Sequence, residues 1–144
     1  MSETPPDDRP ASVDEQTATA YRLTDYYVNE FRLRIGQPQP DFDRYLAEHS
    51  YRSYTLFTAH NPYSVALPAP VNAARHRTLL TLVRQLGLTY LPARGEAPGG
   101  DWPTEVGVCL LDVPLTQVVQ LGRVYEQNAL VRGRRWEPPR LIWL

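Results

Sequence analysis

Val71-Asn72-Ala73-Ala74-Arg75-His76-Arg77-Thr78-Leu79-Leu80-Thr81-Leu82-Val83-Arg84-Gln85-Leu86-Gly87-Leu88-Thr89-Tyr90-Leu91-Pro92-Ala93 is the stretch that decides the fold. Val71, Ala74, Leu79, Leu82, Val83 and Leu86 recur at helical spacing, which predicts a helix from about Val71 to Leu86 with one apolar stripe. Gly87 stands where a helix-ending glycine is expected, and Leu88 to Ala93 reads as a strand. Before this stretch, Tyr51 to Ala59 is aromatic and threonine-rich, the composition of a buried strand. After it, Glu105 to Asp112 predicts another strand. Pro114 then suits the first position of a helix whose inner face carries Leu115, Val118, Val119, Gly122 and Tyr125. Ala129–Val131 and Arg140–Leu144 give two short final strands, separated by a basic turn, Arg132-Gly133-Arg134-Arg135. From Tyr51 onward the order is strand, helix, strand, strand, helix, strand. That order predicts an α+β protein with a ferredoxin-like split βαβ core, a mostly antiparallel sheet and helices mainly on one face.

Upstream, Tyr27, Asn29, Phe31, Leu33 and Ile35 alternate with mostly polar neighbours, so Tyr26 to Ile35 predicts one extra N-terminal strand, ended by Gly36, Pro38 and Pro40. Asp41 to His49 predicts a short helix presenting Phe42, Tyr45 and Leu46. Residues 1–18 are rich in Pro, Asp, Glu, Ser and Thr, with Val13 their one branched apolar side chain. Such a stretch reads as a flexible acidic tail, leaving residues 19–144 as a single domain with a C-terminal edge strand.

A chain of 144 residues and 16.5 kDa is large enough for one real core without disulfides or metal. No apolar run approaches the roughly 20 residues of a membrane span. The acidic start, with no apolar segment behind it, predicts no secretory signal. Cys109 is the single cysteine and lies in an apolar run, so it reads as a core residue, and no disulfide forms within the chain. These features suit a reducing cytoplasm. All 15 basic side chains are arginines, each a planar fork for carboxylate or phosphate. The first fifteen residues sum to −4, leaving +3 for the rest of the −1 total, a charge too small to demand a nucleic-acid partner. No metal-ligand spacing, phosphate loop or nucleophile motif is present, so neither metal nor cofactor is expected.

The unusual polar residues fall where apolar patterns start or stop. They are His60-Asn61-Pro62-Tyr63-Ser64, Asn72 with Arg75, Trp102 with Glu105, and Gln127-Asn128. In the expected topology all four groups meet at one pole of the sheet. Each also has a plain structural reading. Asn61 before Pro62 favours a turn, and Ser64 can cap the same loop. Asn72 and Arg75 share a face at a helix N-terminus, where they could hold an anion; alternatively Arg75 pairs with Glu105. Glu105 opens an apolar strand, where desolvation would raise its pKa toward general acid–base use, with His60 as a conceivable partner. Asp101 is the other acid close by in sequence. Trp102 either packs over the sheet or stacks on a ligand.

These same segments resemble domain-of-unknown-function family 3293, a bacterial family of uncharacterised proteins. The resemblance lies in Thr58-Ala59-His60-Asn61-Pro62-Tyr63-Ser64, Asn72, Arg75, Trp102, Glu105, Gly122, Tyr125, Gln127, Asn128 and Ala129, and spans nearly all of the chain after the tail. Against that pattern His60 stands where an aromatic is commoner, Val71 replaces an acidic residue, and Gly107 replaces a serine. The resemblance implies one compact cytoplasmic domain and brings no activity, substrate or cofactor.

The sequence therefore supports three functions. The first is a binding module for a small anionic ligand or a peptide terminus, using Asn61, Ser64, Asn72, Arg75, Trp102, Glu105, Gln127 and Asn128. The second is a hydrolytic enzyme with a Glu105/His60 acid–base pair and Arg75 for charge stabilisation. The third is a protein or nucleic-acid interaction domain using Arg132–Arg135 beside Trp136.

Overall fold

The computed structural model describes residues 9–100 and 102–144. Helix α3 spans Ala69–Gln85, starting two residues earlier than its apolar stripe because Pro70 fits the first turn, where no N–H is needed. It ends at Leu86, and Gly87 takes φ +67°, the left-handed conformation that closes a helix. Strands β3 (Ser53–Thr58), β4 (Tyr90–Glu96), β5 (Glu105–Leu111) and β6 (Ala129–Arg134), with helix α4 (Leu115–Val124), complete the expected order. Pro114 is the N-cap of α4 rather than its first residue.

The segment expected as one N-terminal strand is a hairpin of β1 (Asp25–Val28) and β2 (Phe31–Leu33). Its tip is Asn29 at φ +50°, a conformation asparagine tolerates better than most residues. Pairing Val28 with Phe31 and Tyr26 with Leu33 puts those side chains on one face. The alternation in the sequence runs unbroken through the turn, which is why it reads as a single strand. Helix α2 spans Pro40–Glu48, and β7 (Arg140–Trp143) forms the far edge. The arginines expected in a turn lie differently: Arg132 and Arg134 are in β6, and the chain turns after them.

All seven strands join one antiparallel sheet in the order β2-β1-β4-β5-β3-β6-β7. On one face, Leu79 and Val83 of α3 and Val118 and Leu121 of α4 pack on Phe57, Val108, Leu110 and Leu130. On the other, Phe42 and Leu46 of α2 cover Val28, Leu33, Tyr54 and Cys109. The Cys109 thiol is fully buried there, and desolvation pushes its pKa up. Helices thus occupy both faces, not mainly one, because the second face of so wide a sheet is itself too apolar to leave in water.

A further helix, α1 (Glu15–Leu23), begins inside the stretch expected as a tail. Asp14 caps it, accepting the Thr17 N–H at 2.7 Å, and Ala18 is almost completely buried. Val13, just before the helix, is buried as well, and residues 1–8 of that expected tail lie outside the described residues. Among the described residues no helix is long and apolar enough to cross a membrane.

Candidate functional site

Where β3 ends, residues Asn61, Tyr63 and Ser64 take φ of +49°, +52° and +61°. Three left-handed non-glycine residues in one short loop cost on the order of 1–2 kcal/mol each, so the surroundings must impose them. Asn72, at the start of α3, does much of this. Its side-chain carbonyl accepts the Asn61 backbone N–H at 2.9 Å, and its amide donates to Asn61 Oδ1 at 2.7 Å and to the Leu67 carbonyl at 3.3 Å. The Leu67 N–H donates to the same Oδ1 at 2.9 Å. With Oδ1 doubly occupied, the Asn61 amide nitrogen is turned to the Glu105 carboxyl, to which it hydrogen bonds. The Tyr63 N–H donates to the Glu126 carbonyl at 2.7 Å, and Asn128 Nδ2 donates to Ser64 Oγ at 2.9 Å. Gln127 Nε2 donates to the His60 and Tyr125 carbonyls, each at 3.0 Å.

These bonds join the four polar groups of the sequence at one pole, and the cavity beside them holds about 460 Å³. That volume is in the range of small-molecule sites. Its floor is the sheet face away from α3 and α4, and its roof is α1, through Ala20 and Tyr21. Leu56, Ala93 and Val131 make the floor apolar. Gly107 also lies in it, and a Cβ there would overlap the Phe57 carbonyl, so this position leaves no room for a serine.

Glu105 stands at the polar end of the cavity. Burial pushes its pKa up to about 7, against the opposing hydrogen bonds from Trp102 and Asn61; the Trp102 indole N–H donates at 3.3 Å. Glu105 makes no ion pair with any described residue. Arg94, the basic side chain lining the cavity, pairs with Glu96 at 3.1 Å and lies over the Tyr27 ring at 4.2 Å. Tyr21 and Tyr26 complete the polar end. Burial raises the Tyr21 phenol to about 12 and raises Tyr26 as well, and the Tyr21 hydroxyl hydrogen bonds Ser64.

Of the residues singled out in the sequence, Asn61, Ser64, Trp102, Glu105 and Gln127 line the cavity. Asn72 and Asn128 stand behind it and hold the loop. Arg75 departs from both of its expected roles. Its guanidinium donates to the Ala59 carbonyl at 2.6 Å and the Tyr125 carbonyl at 2.7 Å, and its nearest carboxylate is Glu126 at 3.8 Å, not Glu105. The carbonyls that end β3 and α4 satisfy it, so it is withdrawn from any anion in the cavity. His60 does not face Glu105 either. Its ring meets His76 edge-on at 6.2 Å, and burial, then His76 and Arg75, lower its pKa. Asp101 lies outside the described residues. Among the described residues no cluster of His, Cys, Asp and Glu could hold a metal ion.

Tyr21 and Tyr26 carry no signal of a site in the sequence; the first stands on α1, only the start of which falls within the expected tail. Arg132 and Arg135 are half-buried and bonded rather than simply solvated: Arg132 donates to Thr55 Oγ1 and the Val113 carbonyl, and Arg135 to the Tyr51 carbonyl.

The segment from Phe57 to Leu130 matches the family model described as a protein of unknown function, DUF3293. The chain belongs to the DUF3293 family. The matched segment contains the strained loop, Asn72, Arg75, Trp102, Glu105, Gln127 and Asn128. The roof helix α1, the β1–β2 hairpin and α2 lie outside the DUF3293 match. No curated protein and no solved structure matches the chain.

Proposed function

We propose that this chain is a binding module for a small molecule with an apolar body and a protonated amine, the amine set against Glu105 in the cavity under α1. One observation carries the reading: Glu105 is a desolvated carboxyl without a cationic partner at the polar end of an otherwise largely apolar cavity. An ionised carboxylate in such surroundings is costly until a cation supplies the missing charge. Tyr21, Tyr26 and Trp102 offer aromatic surface to the same cation. The anionic ligand expected from the sequence depended on Arg75, whose fork is occupied by backbone carbonyls. The reading takes the core to be a ferredoxin-like split βαβ unit, supported by the β4-β5-β3-β6 order with α3 and α4 on one face. It takes the protein to work in the cytoplasm, supported by a single buried cysteine.

The test is calorimetric titration of the full chain with 2-phenylethylamine, 2-phenylethanol and phenylacetate at pH 8. The amine binds at least tenfold more tightly than the alcohol, the carboxylate does not bind, and Glu105→Gln loses the preference. Tighter binding of phenylacetate, or an amine affinity untouched by Glu105→Gln, overturns the reading.

The pKa of Glu105 near 7 favours a second reading, an enzyme using Glu105 as general acid–base. His60 is not its partner in that scheme, since its ring lies against His76. For an enzyme, Glu105→Gln abolishes turnover of a substrate it still binds; for a binding module there is no turnover to lose.

A further inference from the structure

A second groove, of about 470 Å³, lies along β6 and β7, lined by Arg52, Ser53, Leu115, Arg132, Arg134 and Arg140. The sheet register makes this crowding of charge unavoidable. Arg132 stands directly opposite Arg140, and Ser53 opposite Arg134. Arg132 and Arg134, two apart on one strand, share a face. Like charges opposed across strands are destabilising, and a native sheet keeps them together only against that repulsion.

Little in the protein offsets it. The fork of Arg132 is fixed by Thr55 Oγ1 at 2.8 Å and the Val113 carbonyl at 3.1 Å. Burial, then Arg140 and Arg134, push its pKa below the ordinary arginine value. The side chains of Arg52, Arg134 and Arg140 make no hydrogen bond or ion pair with any described residue. Glu137 is the acid lining the groove, which leaves a formal excess of three positive charges. The nearby Asp112 carboxylate accepts the backbone N–H groups of Arg52 and Ser53, at 2.8 and 2.9 Å, and more loosely the Ser53 hydroxyl, at 3.5 Å.

We propose that this groove is a binding site for the phosphate group of a small phosphorylated molecule, gripped by Arg134, Arg140 and Arg52 with the Ser53 hydroxyl beside them. Arginine forks match phosphate oxygens bidentately, and a doubly charged anion removes the repulsion between the facing strands. The occupant is a small molecule rather than a nucleic acid. The groove is compact, and a chain of net charge −1 lacks the broad positive surface that a long polyanion follows. The site is separate from the Glu105 cavity and does not depend on what that cavity holds.

The test uses the full chain, with inorganic pyrophosphate as probe, titrated calorimetrically in 50 mM salt. Saturable binding is expected, at least tenfold weaker in the R134Q/R140Q double variant and unchanged in Glu105→Gln. Arg134 and Arg140 are exposed and their side chains hold no described residue in place, so the double variant folds, with a melting temperature at or above the native one; R52Q provides a second, independent weakening. Absence of saturable binding, or equal affinity in the double variant and R52Q, overturns the proposal. A 20-nucleotide single-stranded RNA binding more than tenfold tighter than pyrophosphate, and lost in the same variants, overturns the small-molecule assignment in favour of nucleic acid.

Discussion

Asn61 and Asn72 exchange two hydrogen bonds, the Asn61 N–H donating to Asn72 Oδ1 at 2.9 Å and the Asn72 amide donating back to Asn61 Oδ1 at 2.7 Å. The consequence reaches beyond the loop. By occupying Oδ1, Asn72 decides which end of the Asn61 amide meets Glu105, so a residue outside the cavity sets a donor inside it. Asn72→Ala leaves a buried N–H and a buried carbonyl short of partners, and costs about 2–3 kcal/mol of stability in urea denaturation. It also frees Asn61 to rotate away, which moves the Glu105 pKa above its native value of about 7, readable by carbon NMR of labelled glutamate. A variant that loses the stability but keeps the native Glu105 titration removes the relay.

Glu105 makes stability depend on pH in a definite direction. Its folded pKa, about 7, lies above its ordinary value of 4.5, so the folded state binds the proton more tightly. The stabilisation is present in full below about 4.5 and is lost as pH rises through about 7, by roughly 1–3 kcal/mol. His60 and His76, whose pKa values are lowered by burial, act oppositely, losing stability as pH falls. The measurement is therefore the difference between wild type and Glu105→Gln, which isolates the carboxyl. That difference shifts in favour of the variant between pH 5 and pH 8, and a flat difference contradicts it.

Arg75 ties the end of β3 to the end of α4. Removing its bonds to the carbonyls of Ala59 and Tyr125 by Arg75→Ala costs about 2–4 kcal/mol, since hydrogen bonds to a charged donor are among the stronger ones. Affinity for any ligand of the Glu105 cavity stays within about twofold, measured well below the lowered melting temperature. A large loss of affinity with intact stability is the opposite result.

Tyr54 and Gly133 test the packing of the second face. The Tyr54 hydroxyl is buried without a hydrogen-bond partner among the described residues, and burial holds its pKa high. Tyr54→Phe therefore leaves stability unchanged or raises it by up to about 1 kcal/mol. Gly133 faces that ring directly, and a Cβ there would overlap it. Gly133→Ala costs about 1–3 kcal/mol through overpacking, seen as a lower denaturation midpoint at unchanged slope.

The parts of the fold legible in the sequence were those with a long period or sharp punctuation. The stripe of α3 and Gly87 after it, and the buried strands around Leu56 and Val108, were of this kind. The convergence of Asn61, Trp102, Glu105 and Gln127 followed from element order alone, since order fixes which strand ends share a pole. Helix α1 was hidden by composition: Thr17, Ala18, Thr19 and Ala20 supply no strong stripe. Its signals were Asp14 as a cap and Ala18 and Tyr21 three apart. Arg75 is ambiguous in the sequence for a physical reason. A guanidinium at a helix start seeks negative atoms, and sequence does not distinguish a ligand's oxygens from the chain's own carbonyls. The arginines of β6 became informative only once the register set Arg132 against Arg140.

The roof and floor of the Glu105 cavity come from separate parts of the chain, α1 lying outside the family-matched segment and Glu105 within it. Exchanging a short leading helix can therefore resize the chamber while its acidic anchor stays untouched. In this chain the span of the chamber and the acid at its end are thereby set by different segments.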